Sequence, residues 1–295
     1  MRQRILFIIN PKSGIHNKHD IPKLIQTYLD DTKFDAEIIY TQYSGHGYKL
    51  AKEAIEQGVD IICAVGGDGS VHNIGMALIG RECKLGIIPV GSGNGYARHF
   101  DIPTQVKFAI LTLNQLKVRK IDVGVINRKF FLGVTGFGFD GHVAAKFAKK
   151  KSRGFWGYVR LIFKEYFKYN EKTYTIEFGN GSKIQQKAFM VSVSNASEFG
   201  NGFCISPYSD VQDGKLELVV LRKPPLYKAP FIVSQFFKGT AQNSKYVTSY
   251  RFTELILHTD STKFHADGEP ISLKMPVQIN AQTQAINLIV GENFA

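Results

Sequence analysis

The feature that most constrains this chain is the rhythm of its first ~125 residues, where short apolar runs alternate with amphipathic stretches. Apolar runs fall at residues 5–9, 36–40, 60–65 and 85–90, and amphipathic stretches at 21–29, 47–57 and 71–79. Runs too short for helices, separated by segments of helical period, predict β-α-β-α-β-α-β. That order implies a mostly parallel sheet covered by helices, with ligands held at loops beyond the carboxyl ends of the strands. After about Lys120 the rhythm changes to strand-like runs at 121–126, 130–135, 174–178, 188–194, 216–221, 254–258 and 285–290. Residues 155–169 are the exception: they hold no Pro and only Gly157, and they are long enough for a helix. A chain of 295 residues exceeds the usual single-core size. The expectation is therefore an α/β domain over 1–125, rejoined by the tail at about 281–295, and a β-rich domain over 126–280.

Composition narrows the partners. Lys and Arg number 37 against 25 acids, a formal charge of +12 that attracts polyanions: phosphates, nucleic acid or anionic membrane. No nucleic-acid-binding motif is present, so nucleic acid is not expected as a partner. Cys63, Cys83 and Cys204 are odd in number and widely spaced, which indicates neither a disulfide framework nor a CxxC metal site and fits a reducing, cytoplasmic setting. The apolar run 5–9 stops at Asn10-Pro11 with no small-residue cleavage site, so it reads as a buried strand rather than a signal peptide. No uninterrupted apolar stretch approaches the ~18–20 residues needed to cross a bilayer, so membrane contact is expected to be peripheral.

Three glycine-rich turns fall at the expected ligand edge. Asn10-Pro11-Lys12-Ser13-Gly14 follows the first strand, where backbone amides and the Lys12 ammonium can line an anion site. Gly66-Gly67-Asp68-Gly69-Ser70 follows the run 60–65 and precedes a helix-like run. Its glycines allow close approach of backbone to phosphate. A carboxylate there is unfavourable beside a polyanion unless a cation bridges the two, and Mg²⁺ commonly binds through one or two carboxylates plus phosphate oxygens. Gly91-Ser92-Gly93-Asn94-Gly95 is the third turn, with a helix expected near Tyr96.

Two further motifs lie in the second half. Asp210-Val211-Gln212-Asp213-Gly214-Lys215 spaces two acids three apart before a glycine, a pattern that can wrap a hard cation or form a hairpin turn. In Asp267-Gly268-Glu269 a glycine separates two carboxylates, so that one can face metal and the other an acceptor hydroxyl; alone, the motif reads more readily as a solvated turn.

Taken in order, these five motifs, with Asn73 after the second, resemble the diacylglycerol kinase catalytic-domain family, and the resemblance covers nearly the whole chain. It implies an N-terminal α/β domain like that of NAD kinase and phosphofructokinase, a C-terminal β-rich sandwich, and an active site in the cleft between them. It implies ATP and Mg²⁺ as cofactors, transfer of the γ-phosphoryl group to a lipid hydroxyl, and a homodimer. By resemblance, Asn10, Pro11, Lys12, Ser13, Gly14, Thr41, Gly66, Gly67, Asp68, Gly69, Ser70, Val71, His72, Asn73 and Ser92 contact ATP, with Asp68 the most important. The family's base lies in the Asp267 to Glu269 motif; Glu269 is the preferred proton acceptor and Asp267 the second base or metal partner. Asp210, Asp213 and the Lys215 carbonyl are assigned to a structural Mg²⁺. Gly95 stands where many bacterial diacylglycerol kinases have Asp, which brings the loop nearer the sphingosine-kinase pattern. The acceptor therefore stays open among diacylglycerol, a sphingoid base and phosphatidylglycerol.

Between Lys146 and Tyr169 lie Lys146, Lys149, Lys150, Lys151, Arg153, Arg160, Lys164 and Lys168, interleaved with Phe147, Phe155, Trp156, Tyr158, Phe163 and Phe167; Glu165 is the one acid. Cations drawn to anionic headgroups, with aromatics at the interface, would bring the enzyme to its lipid; a core-packed helix with solvated lysines is the alternative. Tyr43, Phe199 and Tyr208 are aromatic candidates for the cleft. Two rival readings remain: a kinase of a soluble acceptor such as NAD, and a non-catalytic module for anionic membrane.

Overall fold

The computed structural model describes residues 2–14, 20–148, 155–198, 202–261 and 263–294. Four apolar runs become parallel strands, β1 (Gln3–Ile9), β2 (Phe34–Tyr40), β3 (Ile61–Gly66) and β4 (Lys84–Pro89), in spatial order β2-β1-β3-β4. All six residues of β3 are buried, which is why Ile-Ile-Cys-Ala-Val-Gly reads as a continuous apolar run, whereas the edge strand β2 buries fully only Phe34. The connections carry α1 (Ile21–Tyr28), α2 (His46–Glu56), α3 (Asp68–Leu78), α4 (Gly95–His99) and α5 (Val106–Gln115). Helix α5 was not expected. Its Phe-Ala-Ile-Leu run is short enough to read as either element, and burial of Ala109, Ile110 and Leu113 at helical spacing decides for helix.

The chain divides into two compact units: Met1–Asp122 with Gly200–Gly202 and Thr283–Ala295, and Val123–Phe199 with Phe203–Gln282. Strand β5 (Val118–Ile126) runs across the first boundary and turns through Asn127 and Arg128, both at positive φ, into β6 (Lys129–Phe131). The second unit continues with β7 (Val134–Gly138), α6 (Phe139–Ala148), α7 (Phe155–Tyr166), β8 (Lys172–Phe178), β9 (Lys183–Ala188), β10 (Met190–Ser194), β11 (Leu216–Leu221), α8 (Ala229–Phe237), β12 (Val247–Phe252), β13 (Glu254–Thr259), β14 (Phe264–Ala266) and β15 (Glu269–Ile271). The last strand, β16 (Val277–Ile289), pairs antiparallel with β13 near its start and parallel with β4 near its end.

In the second unit, an antiparallel sheet in the order β12-β11-β10-β7-β14-β15 faces the antiparallel strands β16-β13-β8-β9. Strand β11 shows how the layers form. Leu216, Leu218 and Val220 enter the core shared with the other sheet, while Val219 and Leu221 join Phe139, Leu161, Ile232 and Phe236 beneath the helices. The layers are thus sheet, sheet and helices.

Two expected strands are divided, each for a visible reason. The run 130–135 breaks because the amides of Leu132, Gly133 and Val134 donate to the Asp267 carboxylate. The run 188–194 breaks at Phe189, where the chain passes from β9, paired with β8, to β10, paired with β7 and β11. Helix α7 ends at Tyr166, three residues short of the expected 169. Among the described residues no helix is long and apolar enough to cross a membrane.

Candidate active site

Because β1, β3 and β4 are neighbours and parallel, the loops that follow them leave from one sheet edge. The loops touch at backbone distance. Asn10 N–H donates to Val65 O at 3.0 Å, Val90 N–H to Gly66 O at 2.9 Å, and Thr41 N–H to Ile9 O at 2.9 Å. Gly14 has φ +67°, and a Cβ there would lie 1.8 Å from Val90 O. A Cβ on Gly91 would lie 2.5 Å from Gly67 Cα. Any side chain at either position would force the loops apart, so these glycines are required by close approach.

Polar side chains fix the same loops. Asn10 accepts from Lys12 N–H at 2.9 Å and donates from Nδ2 to Ser70 Oγ at 3.1 Å; Ser13 Oγ donates to Asn10 O at 3.0 Å. Asn94, in the left-handed region at φ 52°, accepts from Gly91 N–H at 2.9 Å and donates back to Gly91 O at 3.0 Å. Lys12, Pro11, Gly69 and Ser92 stand exposed around this frame. Asp68 opens α3, and its Oδ1 accepts from Tyr96 N–H, in the first turn of α4, at 3.2 Å. A half-buried carboxylate thus sits where α3 presents its amino-terminal dipole. His72 is half-buried, Asn73 Nδ2 donates to Gly69 O at 2.8 Å, and the Val71 side chain is buried in the core, so Val71 offers a ligand only its backbone. The first unit therefore brings together all fifteen residues assigned to the nucleotide, Thr41 beside the first loop through Ile9.

In the second unit, Asp267 (φ 49°) and Gly268 (φ 81°) form the two-residue turn between β14 and β15. The Asp267 carboxylate accepts from Leu132 N–H at 2.8 Å, Gly133 N–H at 2.8 Å and Val134 N–H at 3.0 Å. Both its oxygens bind the chain to itself, so Asp267 holds the turn against the segment 132–134, a structural role the sequence did not suggest. Glu269, the first residue of β15, is exposed.

Behind this turn is a pair that sequence reasoning missed. His265 is fully buried; its Nδ1 accepts from Gly268 N–H at 3.2 Å, and its Nε2 lies 2.8 Å from Asp140 Oδ2. Accepting at Nδ1 leaves the ring hydrogen on Nε2, toward Asp140, an assignment made from the hydrogen-bond network. Ser192 Oγ donates to the same Asp140 oxygen at 3.2 Å. The available signal was a histidine two residues before Asp267, on the strand that leads into the turn.

In the loop assigned to structural Mg²⁺, both acids have partners within the chain. Asp210 Oδ1 accepts from Gln212 N–H and Asp213 Oδ1 from Lys215 N–H, each at 2.9 Å, while Asp213 Oδ2 is ion-paired with the Arg251 guanidinium. Asp213 already faces a cation, and among the described residues no group of three or more His, Cys, Asp or Glu is placed to hold a metal. A groove of about 420 Å³ lined by Glu177, Lys183, Glu254, Gln278 and Asn280 contains none of the site residues.

Of the basic segment, Lys149, Lys150, Lys151 and Arg153 lie outside the described residues, as do the side chains of Phe147, Phe155, Trp156 and Tyr158; so does Phe199. Lys146 Nζ donates to Glu165 Oε2 at 2.6 Å, and His142 Nε2 lies 2.8 Å from the same oxygen. These two hydrogen bonds pull the buried Glu165 carboxyl down to about 2. Leu161 is buried while Arg160, Phe163, Lys164, Phe167 and Lys168 are exposed, so α7 packs on one face and shows cations and rings on the other. Tyr43, stacked on His46, and Tyr208 are both exposed.

Comparisons with known proteins agree over both units. Residues 4–126 match the diacylglycerol kinase catalytic domain, and residues 133–290 match the YegS C-terminal NAD kinase beta sandwich-like domain. The chain is 26% identical to a diacylglycerol kinase of Bacillus subtilis over 280 residues, 90% of each chain. It is 26% identical to a diacylglycerol kinase of Mycobacterium tuberculosis over 247 residues, 81% of this chain and 80% of the other. Among solved structures, a Bacillus anthracis diacylglycerol kinase superposes with TM-score 0.76 at 21% identity, covering 99% and 98% of the two chains. An Archaeoglobus fulgidus NAD kinase in complex with ATP superposes with TM-score 0.55 at 12% identity, over 98% and 94%. At these identities the structural likenesses speak for the fold alone.

Proposed function

Because the chain belongs to the diacylglycerol kinase family of lipid kinases, we propose that it transfers the γ-phosphoryl group of Mg-ATP to a hydroxyl of a membrane-resident lipid. The observation that carries this reading is the joining of the three glycine-rich loops at one sheet edge, with Asp68 at the start of α3. In it, the amides and Lys12 of residues 10–14, residues 66–73, Thr41 and Ser92 hold the nucleotide. Asp68 would hold the Mg²⁺ that arrives with ATP, and that ion supplies charge neutralisation at the phosphates. Fixed amide dipoles, already held by Asn10 and Asn94, need no rearrangement as charge develops on the transferring group.

The acceptor oxygen attacks phosphorus in line, the bond from phosphorus to the ADP oxygen breaks, and the hydroxyl proton passes to a carboxylate. Glu269 is that carboxylate, since Asp267 is engaged with three backbone amides. The buried His265 supports the turn through Gly268. Diacylglycerol is the first acceptor to try because relatives bear that name. The enzyme works at the cytoplasmic membrane surface as a peripheral protein.

The test is transfer of γ-labelled phosphate from Mg-ATP to diacylglycerol, sphingosine and phosphatidylglycerol in mixed micelles, beside NAD. Label in one lipid establishes reaction and acceptor together. Label in NAD alone overturns the lipid reading.

A further inference from the structure

The helical layer of the second unit leaves large apolar side chains in water. In α8 and the 3-10 turn just before it, Leu226–Lys228, Tyr227 is 78% and Phe231 64% exposed, and Leu226, Val233 and Phe237 are also exposed. The alternate face is anchored: Ile232 and Phe236 are buried in the core under the sheet. This is an amphipathic helix that keeps its outer face apolar, at a position where a soluble surface would carry charge.

The segment that carries that face has charge of one sign, although Glu171 approaches it from outside through the Lys223 amide. Between Glu217 and Glu254 the chain holds no acid, but it carries Arg222, Lys223, Lys228, Lys238 and Lys245, besides Arg251, which is paired with Asp213. Lys228 Nζ lies over the rings of Tyr227 and Tyr246, at 5.7 and 5.9 Å from their centroids. The patch continues onto α7: Lys223 Nζ sits 5.1 Å from the Tyr166 ring centroid and donates to Tyr169 O at 2.7 Å, and Tyr166 Oη donates to Pro224 O. Beyond Tyr166, Phe163 and Phe167 are again exposed.

We infer that the outer face of α8 and its preceding turn, continuous with α7, docks on an anionic lipid surface, with Tyr227 and Phe231 entering the interface and the flanking lysines and arginines meeting headgroups. Aromatic rings favour the boundary between headgroups and acyl chains, and amphipathic helices bind there by apolar burial added to electrostatic attraction. A second copy of this chain is a poorer occupant. Joining the same face of two copies would bring like charges together, whereas an anionic bilayer complements them. The inference rests on the proposed lipid acceptor only in explaining why the enzyme should meet a membrane.

The experiment is cosedimentation with vesicles of phosphatidylglycerol and phosphatidylcholine, and with phosphatidylcholine alone, for the wild type and the Tyr227→Ser/Phe231→Ser variant. The variant's oligomeric state and its phosphorylation of a short-chain, monomerically dispersed acceptor are measured alongside. The wild type should pellet with anionic vesicles and release as salt rises. The variant should bind at least about tenfold more weakly while phosphorylating the dispersed acceptor at the wild-type rate. Wild type that stays in the supernatant, or a variant that binds as well as wild type, overturns the docking surface. So does a variant that falls from dimer to monomer with vesicle binding unchanged. A wild type that pellets yet phosphorylates no dispersed lipid keeps the docking surface and strikes the lipid-kinase reading instead.

Discussion

In the loops after β1, β3 and β4, close approach depends on side chains that are absent, whereas the layer of α7 and α8 is distinguished by side chains left exposed. Gly14, Gly67 and Gly91 leave so little room that a single Cβ at Gly14 or Gly91 would collide with backbone, and Asn10 and Asn94 hold the frame by hydrogen bonds. On α8 the backbone is ordinary, and what distinguishes it is Tyr227 and Phe231 in water beside cations. A phosphate site needs donors fixed in place before the reaction. A lipid surface is fluid and asks for apolar area and charge rather than fixed geometry. Substitutions in the first region should therefore act steeply on the chemical step, and substitutions in the second should act gradually and only when lipid is presented as a surface.

The largest effect is expected at Asp68. Asp68→Asn keeps the side chain's shape but removes the charge that would hold the metal. It should lower kcat by about 10³-fold on any acceptor, dispersed or in vesicles. A variant that loses turnover only on vesicles would erase the distinction between the two regions.

The Asp267-Gly268-Glu269 turn divides the comparison more finely. Glu269→Gln is expected to cost about 10²-fold in kcat with little change in melting temperature, because an exposed carboxylate that takes a proton is lost while no packing changes. Asp267→Asn should do the reverse. It replaces two acceptor oxygens that hold three backbone amides, so stability should fall by about 1–3 kcal/mol in denaturant titration. Equal kinetic and stability losses in the two variants would reject this division of labour.

These contrasts explain what was legible in the sequence. The parallel strands could be read because β3 and β4 are buried apolar runs ending in glycine-rich turns, and Gly14 and Gly91 could be flagged because close approach leaves few residue choices. The His265 and Asp140 pair was hidden, since the two are 125 positions apart and meet only through the pairing of β14 with β7. Helix α8 was hidden for a local reason. Pro230 falls in its first turn and Gly239 ends it at φ +65°, so residues that look like breakers are its boundaries, and Phe, Ile and Val inside it favour strand on propensity alone. The partner of Asp213 was hidden as well, because acid spacing says nothing about Arg251, which reaches it from the neighbouring strand β12.

A pair of glycine substitutions sharpens the first half of the comparison. Gly91→Ala puts a methyl 2.5 Å from Gly67 Cα, so the loops must separate; KM for ATP should rise about tenfold or more and the melting temperature should drop. Gly69→Ala adds a methyl that meets no protein atom within 4 Å. The protein should keep its melting temperature, so any rise in KM for ATP there reports contact with the nucleotide. A Gly69→Ala enzyme with unchanged KM would move the phosphates away from the start of α3.

The smallest effect belongs to Glu165, which joins α6 to α7 beneath the exposed rings. Its carboxyl is held down to about 2 by Lys146 and His142, so in the native state it stays ionised where the unfolded chain, near 4.5, takes up a proton. The unfolded state therefore binds more protons between those values, and linkage makes this contribution complete above about pH 4.5 and lost as pH falls toward 2. Lys146 is 41% exposed, so solvent screening reduces the contribution to about 1–2 kcal/mol. Asp30, through its hydrogen bond from Thr32, and Glu177, through its hydrogen bond from Lys183, are also held below their ordinary values, so the informative quantity is the difference between wild type and Glu165→Gln. Wild type should be the more stable at pH 6, and the gap should narrow as pH falls from 4.5 and close near pH 2 in parallel denaturant titrations. If α7 also holds the docking face in place, vesicle binding by Glu165→Gln should weaken a few-fold at pH 7 while turnover of a dispersed acceptor stays at the wild-type rate. A fall in turnover on the dispersed acceptor would instead tie α6 and α7 to the chemistry that the comparison assigns to the glycine-rich loops.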